Sequence, residues 1–208
     1  MAAAPMPGPT LSSQQAYILD QFNGQTYEPN KMDVQHTPLY DTVTIAAGNP
    51  LTTSTSQYFV AVSTKTIAQT NVQTSKKLDA PEAFTVKSFR WFYQQNILLA
   101  DLYAIMTGSV LEFVIGNKVY QRGPLWVYNP GGGIFAAITN TSATIYNNGT
   151  PGRNAMHVLA INVVIDNQAS FYAQLNCPSS ITLTAANAGG TGITSQLVLD
   201  GLYARGVQ

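Results

Sequence analysis

From Leu39 onward the chain is a succession of short strand-like runs broken by turn residues, and this rhythm decides its fold class. Asp41-Thr42-Val43-Thr44-Ile45 alternates polar and apolar and stops at Gly48-Asn49-Pro50. Gln57–Val62 is β-branched and aromatic, and Ala83–Phe92 alternates so that Phe84 and Val86 point toward a buried face, with Phe89 a further candidate for it. Val110–Ile115 and Lys118–Tyr120 flank Gly116-Asn117, the pattern of a tight hairpin. Leu125–Tyr128, Ile134–Ala136 and Thr144–Tyr146 read as further strands, and Val158–Ile165 is the most continuous apolar run. Ser170–Leu175, Ser180–Thr184 and Ser195–Tyr203 complete about nine or ten strands at regular spacing, as in an all-β antiparallel sandwich or barrel. Gln94–Thr107 competes with this pattern. Ile97, Leu98, Leu102, Tyr103, Ile105 and Met106 predict a short helix there that Gly108 stops.

Residues 1–38 differ in composition and are expected to form an extended N-terminal arm before a β-sandwich domain at 39–208. Pro5, Pro7 and Pro9 favour an extended lead, and Ser12–Asp20 has the signature of a short serine-capped helix. Tyr17, Ile18, Leu19, Phe22 and Tyr27 are apolar anchors whose burial on a partner would offset the entropy of ordering the arm. The first residues have neither a basic n-region nor a continuous apolar h-region, so they do not read as a secretory signal. The single cysteine, Cys177, permits no intrachain disulfide, in keeping with synthesis in a reducing cytoplasm.

The polar surface is unusual. Only 10 % of residues are charged, with ten basic and ten acidic side chains, whereas Ser, Thr, Asn and Gln number 65. A soluble domain is typically about a quarter charged. Such a surface can be covered by neighbours without the desolvation cost of buried ions, and copies do not repel one another. Neutral balance also argues against nucleic acid as the main partner. The densest basic stretch, Lys76, Lys77, Lys87 and Arg90, is interrupted by Asp79 and Glu82 and reads as a solvated loop and strand edge. No apolar run reaches the length of a membrane span.

Catalytic parts are scarce. His36 and His157 stand outside any metal-ligating spacing, and no cofactor motif is present. A hydrolase would need His157 as base with Asp166 orienting it, but no GxSxG accompanies them, and His157 reads as a polar strand-end residue. Among the acids, Glu112 is the one of interest, expected to face outward and pair across the hairpin with Lys118 or Arg122. Gly131-Gly132-Gly133 is read as a turn, since no phosphate-loop motif or following helix supports more. Asn140 and Asn148 head glycosylation sequons without a secretory context. Trp126, Tyr128 and Tyr146 could form a sugar-stacking platform, although tryptophans of an all-β chain usually belong to the core.

LEFVIGNKVYQRGPLWVYNPGGG (111–133), HVLAINVVIDNQASFYAQLN (157–176) and the closing QLVLDGLYARGVQ resemble structural proteins of bacterial viruses. The resemblance covers roughly 39–208 and rests on order and texture rather than a diagnostic motif. It implies a jelly-roll-like β-sandwich, a non-enzymatic capsid role as shell subunit or decoration protein, and residence in the virion. It further implies partners that are copies of the chain, such as a trimer, and other capsid proteins. Short length and the lack of a second fold lean toward decoration or cement. The rival reading is a carbohydrate- or receptor-binding module of a virion spike or lectin-like protein, carried by Trp126, Tyr128 and Tyr146.

Overall fold

The computed structural model describes residues 32–46, 48, 50–51, 56–94, 97–129, 135–139, 142–147, 157–184 and 192–206. Expectations for Tyr17, Ile18, Leu19, Phe22 and Tyr27, for Gly131–Gly133 and for both sequon asparagines fall outside these residues.

Among the described residues fourteen strands follow one another. The first half holds β1 (Met32–His36), β2 (Leu39–Ile45), β3 (Pro50–Leu51), β4 (Gln57–Tyr58), β5 (Ala83–Tyr93), β6 (Ile97–Leu98) and β7 (Val110–Ile115). The second holds β8 (Lys118–Pro124), β9 (Phe135–Thr139), β10 (Ser142–Asn147), β11 (His157–Ile165), β12 (Phe171–Asn176), β13 (Ile181–Thr182) and β14 (Ile193–Gly206). All the ladders are antiparallel and nested: β2 pairs β14, β3 pairs β13, β4 pairs β12, β5 pairs β11, β6 pairs β10 and β7 pairs β8. The chain is therefore one long hairpin with its tip at Gly116-Asn117. There Gly116 has φ +58, as a tight turn with glycine first requires.

Rolling this hairpin adds β14·β5 and β12·β7, which yields two sheets, β2-β14-β5-β11 and β4-β12-β7-β8. Counting those eight strands in chain order, the sheets run 1-8-3-6 and 2-7-4-5, the double Greek key of a jelly roll. The all-β jelly-roll sandwich expected for the chain is thus what it forms. β1, from the end of the expected arm, extends the β2 side of the first sheet by pairing β14 from Met32↔Gly206 to His36↔Leu202.

The core fills the space between the sheets with aromatic rings. Phe89 of β5 meets Phe113 of β7 edge-on at 5.3 Å, and Phe171 of β12 links Phe113 to Phe59 at 6.4 and 5.4 Å. Edge-on pairs of this kind add about 0.5–1.5 kcal/mol to the burial of their surface. A buried hydrogen-bond chain pins the sheets together. The Trp91 Nε1–H donates to the Tyr58 hydroxyl at 2.9 Å, and that hydroxyl shares a 2.7 Å bond with Ser195. Burial pushes the Tyr58 phenol up to about 12, against the opposing pull of its Ser195 and Trp91 bonds, so it stays a neutral member of the chain.

Two local expectations change. The helix α1 occupies Leu99–Gly108, and the preceding Ile97-Leu98 is strand, because Leu98 is extended at the helix entrance. Leu102, Ile105 and Met106 lie on its buried face, and Asp101 in its first turn accepts bonds from the Thr184 N–H and hydroxyl at 3.0 and 2.9 Å. Leu125–Tyr128 is not a strand but a 3-10 turn. Leu125 and Tyr128, three residues apart and so eclipsed in that geometry, are both buried, while Trp126 between them faces solvent.

The residues between β4 and β5 run for 24 positions without a named strand or helix, longer than most connections. Uncharged side chains staple them to β2. The Asn71 amide bridges Tyr40 N–H (2.9 Å) and Pro38 O (2.7 Å), and the Thr42 and Thr70 hydroxyls bond Gln69 O (2.8 Å) and Tyr40 O (3.1 Å). One buried ion pair completes the attachment. Asp41 accepts the Phe59 N–H at 2.6 Å and both its oxygens lie 2.8 Å from Lys65 Nζ.

Asp41→Ala is expected to cost about 3–5 kcal/mol in urea unfolding, because Lys65 and the Phe59 N–H lose their partner together. At Gly201, where β14 shifts register against β5, an added Cβ would lie 1.8 Å from the Thr85 carbonyl oxygen. Gly201→Ala should destabilise by about 3 kcal/mol or more. Gly116→Ala, in open space but at positive φ, should lose only about 1 kcal/mol.

Candidate functional site

The residues with catalytic potential are dispersed. His157 opposes Phe89 and Ile165 opposes Phe84, so about five residues of β5, roughly 17 Å, separate His157 from the end of β11, and Asp166 beyond it is too far for a base–orienter contact. His157 instead sits 3.0 Å from the Gln121 amide nitrogen, with its ring edge-on to Tyr128 at 5.0 Å. His36 is exposed at the end of β1. Cys177 shares a 3.1 Å contact with the Ser109 hydroxyl, and burial pushes its thiol up. Among the described residues no three His, Cys, Asp or Glu side chains gather as a metal site, and no helix is long and apolar enough to cross a membrane. The basic stretch is engaged piecemeal: Arg90 pairs with Asp200 at 2.6 Å, Lys76 lies over the Tyr172 ring and Lys77 reaches Gln168.

Glu112 pairs across the hairpin with Arg122 at 2.9 Å, as their register demands, while Lys118 opposes Ile115. It faces away from the core, as expected, yet it is screened from solvent. Its side chain is only 7 % exposed, because Gln174 and Asn176 of β12 close over it at 3.0 and 3.4 Å. Burial pulls its carboxyl upward, but the Gln174 and Asn176 amides and the Arg122 charge outweigh that and hold it below its ordinary value of 4.5.

The proposed sugar platform does not assemble from its described members. Tyr128 is fully buried, its ring against Phe89 at 6.0 Å and its hydroxyl accepting from Gln121 at 3.1 Å. Trp126 is 56 % exposed, and Tyr146 falls in β10.

A different surface stands out. β8 ends one sheet and β11 ends the other, and the Gln121–His157 contact and the Tyr128–His157 ring pair bring these two strands to the same flank of the sandwich. Of the seven large hydrophobic side chains exposed among the described residues, five lie here: Val119 and Tyr120 on β8, Trp126 on the following turn, and Val158 and Ile161 on β11. Ile161 is 78 % and Val158 59 % exposed, although β11 is the most continuously apolar run of the chain. For Ile161 the cause is a wide bulge. Val158 opposes Ser88 and Val163 opposes Val86, so the four residues 159–162 face the single Lys87, and the strand bows away from the sheet. The sequence signal was present in the nine uncharged residues of β11, but apolar continuity reads as a doubly covered strand rather than an exposed edge.

No known protein family, curated protein or solved structure matches the chain.

Because the folded Glu112 carboxylate binds its proton less readily than the unfolded one, it adds stability above pH about 4.5. That increment disappears as pH falls through its lowered folded value. Urea titrations of wild type and Glu112→Gln across pH 3–7 should show a stability difference that shrinks toward the acid end.

Proposed function

We propose that the chain is a non-enzymatic virion structural protein that oligomerises and builds or stabilises a phage capsid lattice. The observation that carries this reading is the β8–β11 flank, where five exposed apolar side chains gather on a jelly roll of zero net charge. Monomeric proteins scatter such residues, so finding most of them on two edge strands and the turn between favours an association surface. The jelly roll is an architecture of viral capsid domains, although it serves lectins and cupins as well. The resemblance of 111–133 and 157–176 to phage structural proteins points the same way. Partners in this reading are copies of the chain, as a trimer, and other capsid proteins, with neither nucleic acid nor membrane as the main contact.

The exposed ring of Trp126 supports a second reading, a carbohydrate- or receptor-binding module. A glycan array without hits, or hits untouched by Trp126→Ala, removes it.

Light scattering of the purified chain should report a stable oligomer; a monomer counts against the lattice reading. Removing residues 1–31, which leaves β1 in place, should weaken association with capsid particles by about tenfold or more. Undiminished binding would show that the arm is dispensable.

A further inference from the structure

The outer face of the first sheet carries a groove with a chemistry of its own. Trp91 and Ser195 turn inward to bond Tyr58, so their neighbours Phe92 and Gln196 point outward. Thr42 of β2, Gln196 of β14 and Phe92 of β5 oppose one another and form a row across that face. The β4–β5 connection crosses the Thr42 end of the row. There Thr42 Oγ1 donates to Gln69 O at 2.8 Å, and Gln196 Nε2 donates to Thr42 Oγ1 and Ala68 O at 3.1 and 3.3 Å. Between this connection and the Phe92 end of β5 lies a groove of about 340 Å³. Small-molecule sites begin at about 300 Å³.

None of the residues lining the groove carries a formal charge. Arg90 lies over the Phe92 ring at 5.6 Å, but it is paired with Asp200 at 2.6 Å and serves to hold the ring in place. The groove offers neutral hydrogen-bonding groups instead. Gln196 spends its amide hydrogens on Thr42 and Ala68, which fixes the side chain and leaves its carbonyl oxygen without a donor among the described residues. Gln69 accepts the Thr66 N–H and hydroxyl on its carbonyl oxygen and leaves its amide nitrogen without an acceptor among the same residues. The Thr194 hydroxyl shares one 3.3 Å contact with Thr44. Gln94 braces this end, accepting the Thr194 N–H at 2.9 Å and donating to Gly192 O at 3.2 Å.

An acceptor, a donor and a hydroxyl around an aromatic ring suit a neutral polyhydroxyl ligand. Each sugar hydroxyl both donates and accepts, and the C–H face of a pyranose packs on a ring. An ionic ligand would find no counter-charge on these walls. A purely apolar one would cover the Gln196 carbonyl and the Gln69 amide without pairing them. The cavity beside Tyr203 differs on both counts: it is smaller, about 140 Å³, and is lined by Lys77, Asp79 and Glu82.

We infer that the groove between β5 and the β4–β5 connection binds a neutral saccharide, with Phe92 against the sugar ring and Gln196, Gln69 and Thr194 taking its hydroxyls. The site shares its ligand class with the carbohydrate reading above but none of its residues, since Trp126 follows β8 in the other sheet. It needs no second copy and stands apart from the lattice reading.

The test uses the full chain in saturation-transfer NMR with methyl α-glucoside, methyl α-mannoside, methyl β-galactoside and N-acetylglucosamine as neutral probes, and glucuronate as the charged counterpart. At least one neutral probe should bind at millimolar concentration and more tightly than glucuronate. Phe92→Leu keeps apolar bulk and removes the ring. Gln69→Glu, at an exposed position, keeps the acceptor for Thr66 and removes the donor. Each should weaken binding about fivefold or more, while Trp126→Ala leaves it unchanged. The two substitutions lie on separate segments, so a folding defect in one leaves the other to decide. No binding of any neutral probe, a preference for glucuronate, or binding that survives both substitutions overturns the inference. Loss with Trp126→Ala alone overturns it in favour of the Trp126 site. Light scattering decides the lattice reading separately, whichever of these results is found.

Discussion

β14 must satisfy its backbone on two sides over fourteen residues, and the rest of the sandwich is arranged around that demand. β2 and then β1 line one edge, and β5 lines the other. Once β14 lies against β2, each inner strand has its partner fixed by nesting, down to the Gly116-Asn117 tip. The approach of β14 to β5 is close enough at Gly201 that no side chain fits. The outermost pair, Met32 with Gly206, is 174 residues apart in sequence, while β7 and β8 are adjacent. The tip hairpin is therefore the one rung cheap to close early, and the outer rungs carry the entropy of the long loops.

The scarcity of charge acquires a structural meaning in this setting. Asn71, Thr42 and Thr70 fix the long β4–β5 connection through neutral hydrogen bonds. Ions appear where a single group must hold several donors, as Asp41 does with Lys65 and the Phe59 N–H, and Glu112 with Arg122, Gln174 and Asn176. Amides and hydroxyls lock loops without the desolvation cost of ions.

Much of the fold was legible because strand alternation and turn chemistry are local. The 110–120 hairpin and the burial of Phe84 and Val86 follow from spacing, whereas Phe89, out of phase with them, is buried because β5 shifts register at Lys87. Leu125–Tyr128 was misread because apolar and aromatic residues signal strand, whereas a buried i, i+3 pair after Pro124 serves a 3-10 turn equally well. Tyr128 was misplaced on the surface for the same reason, its burial being set by Phe89 and Gln121 from distant strands. The flank was invisible as a unit. β8 and β11 are separated by more than thirty residues, and only the rolling of the hairpin brings Gln121 to His157. Exposure of Ile161 depends on a bulge against Lys87, which no single-strand pattern encodes.

That bulge has a further consequence. A flat, uncharged strand at a sheet edge is a template on which identical strands add without limit, the route to fibres. Bowed where four residues face a single partner, β11 offers exposed side chains but no straight ladder of backbone groups to copy. The chain can thus present an exposed apolar edge while withholding the geometry that would let one copy seed an endless sheet.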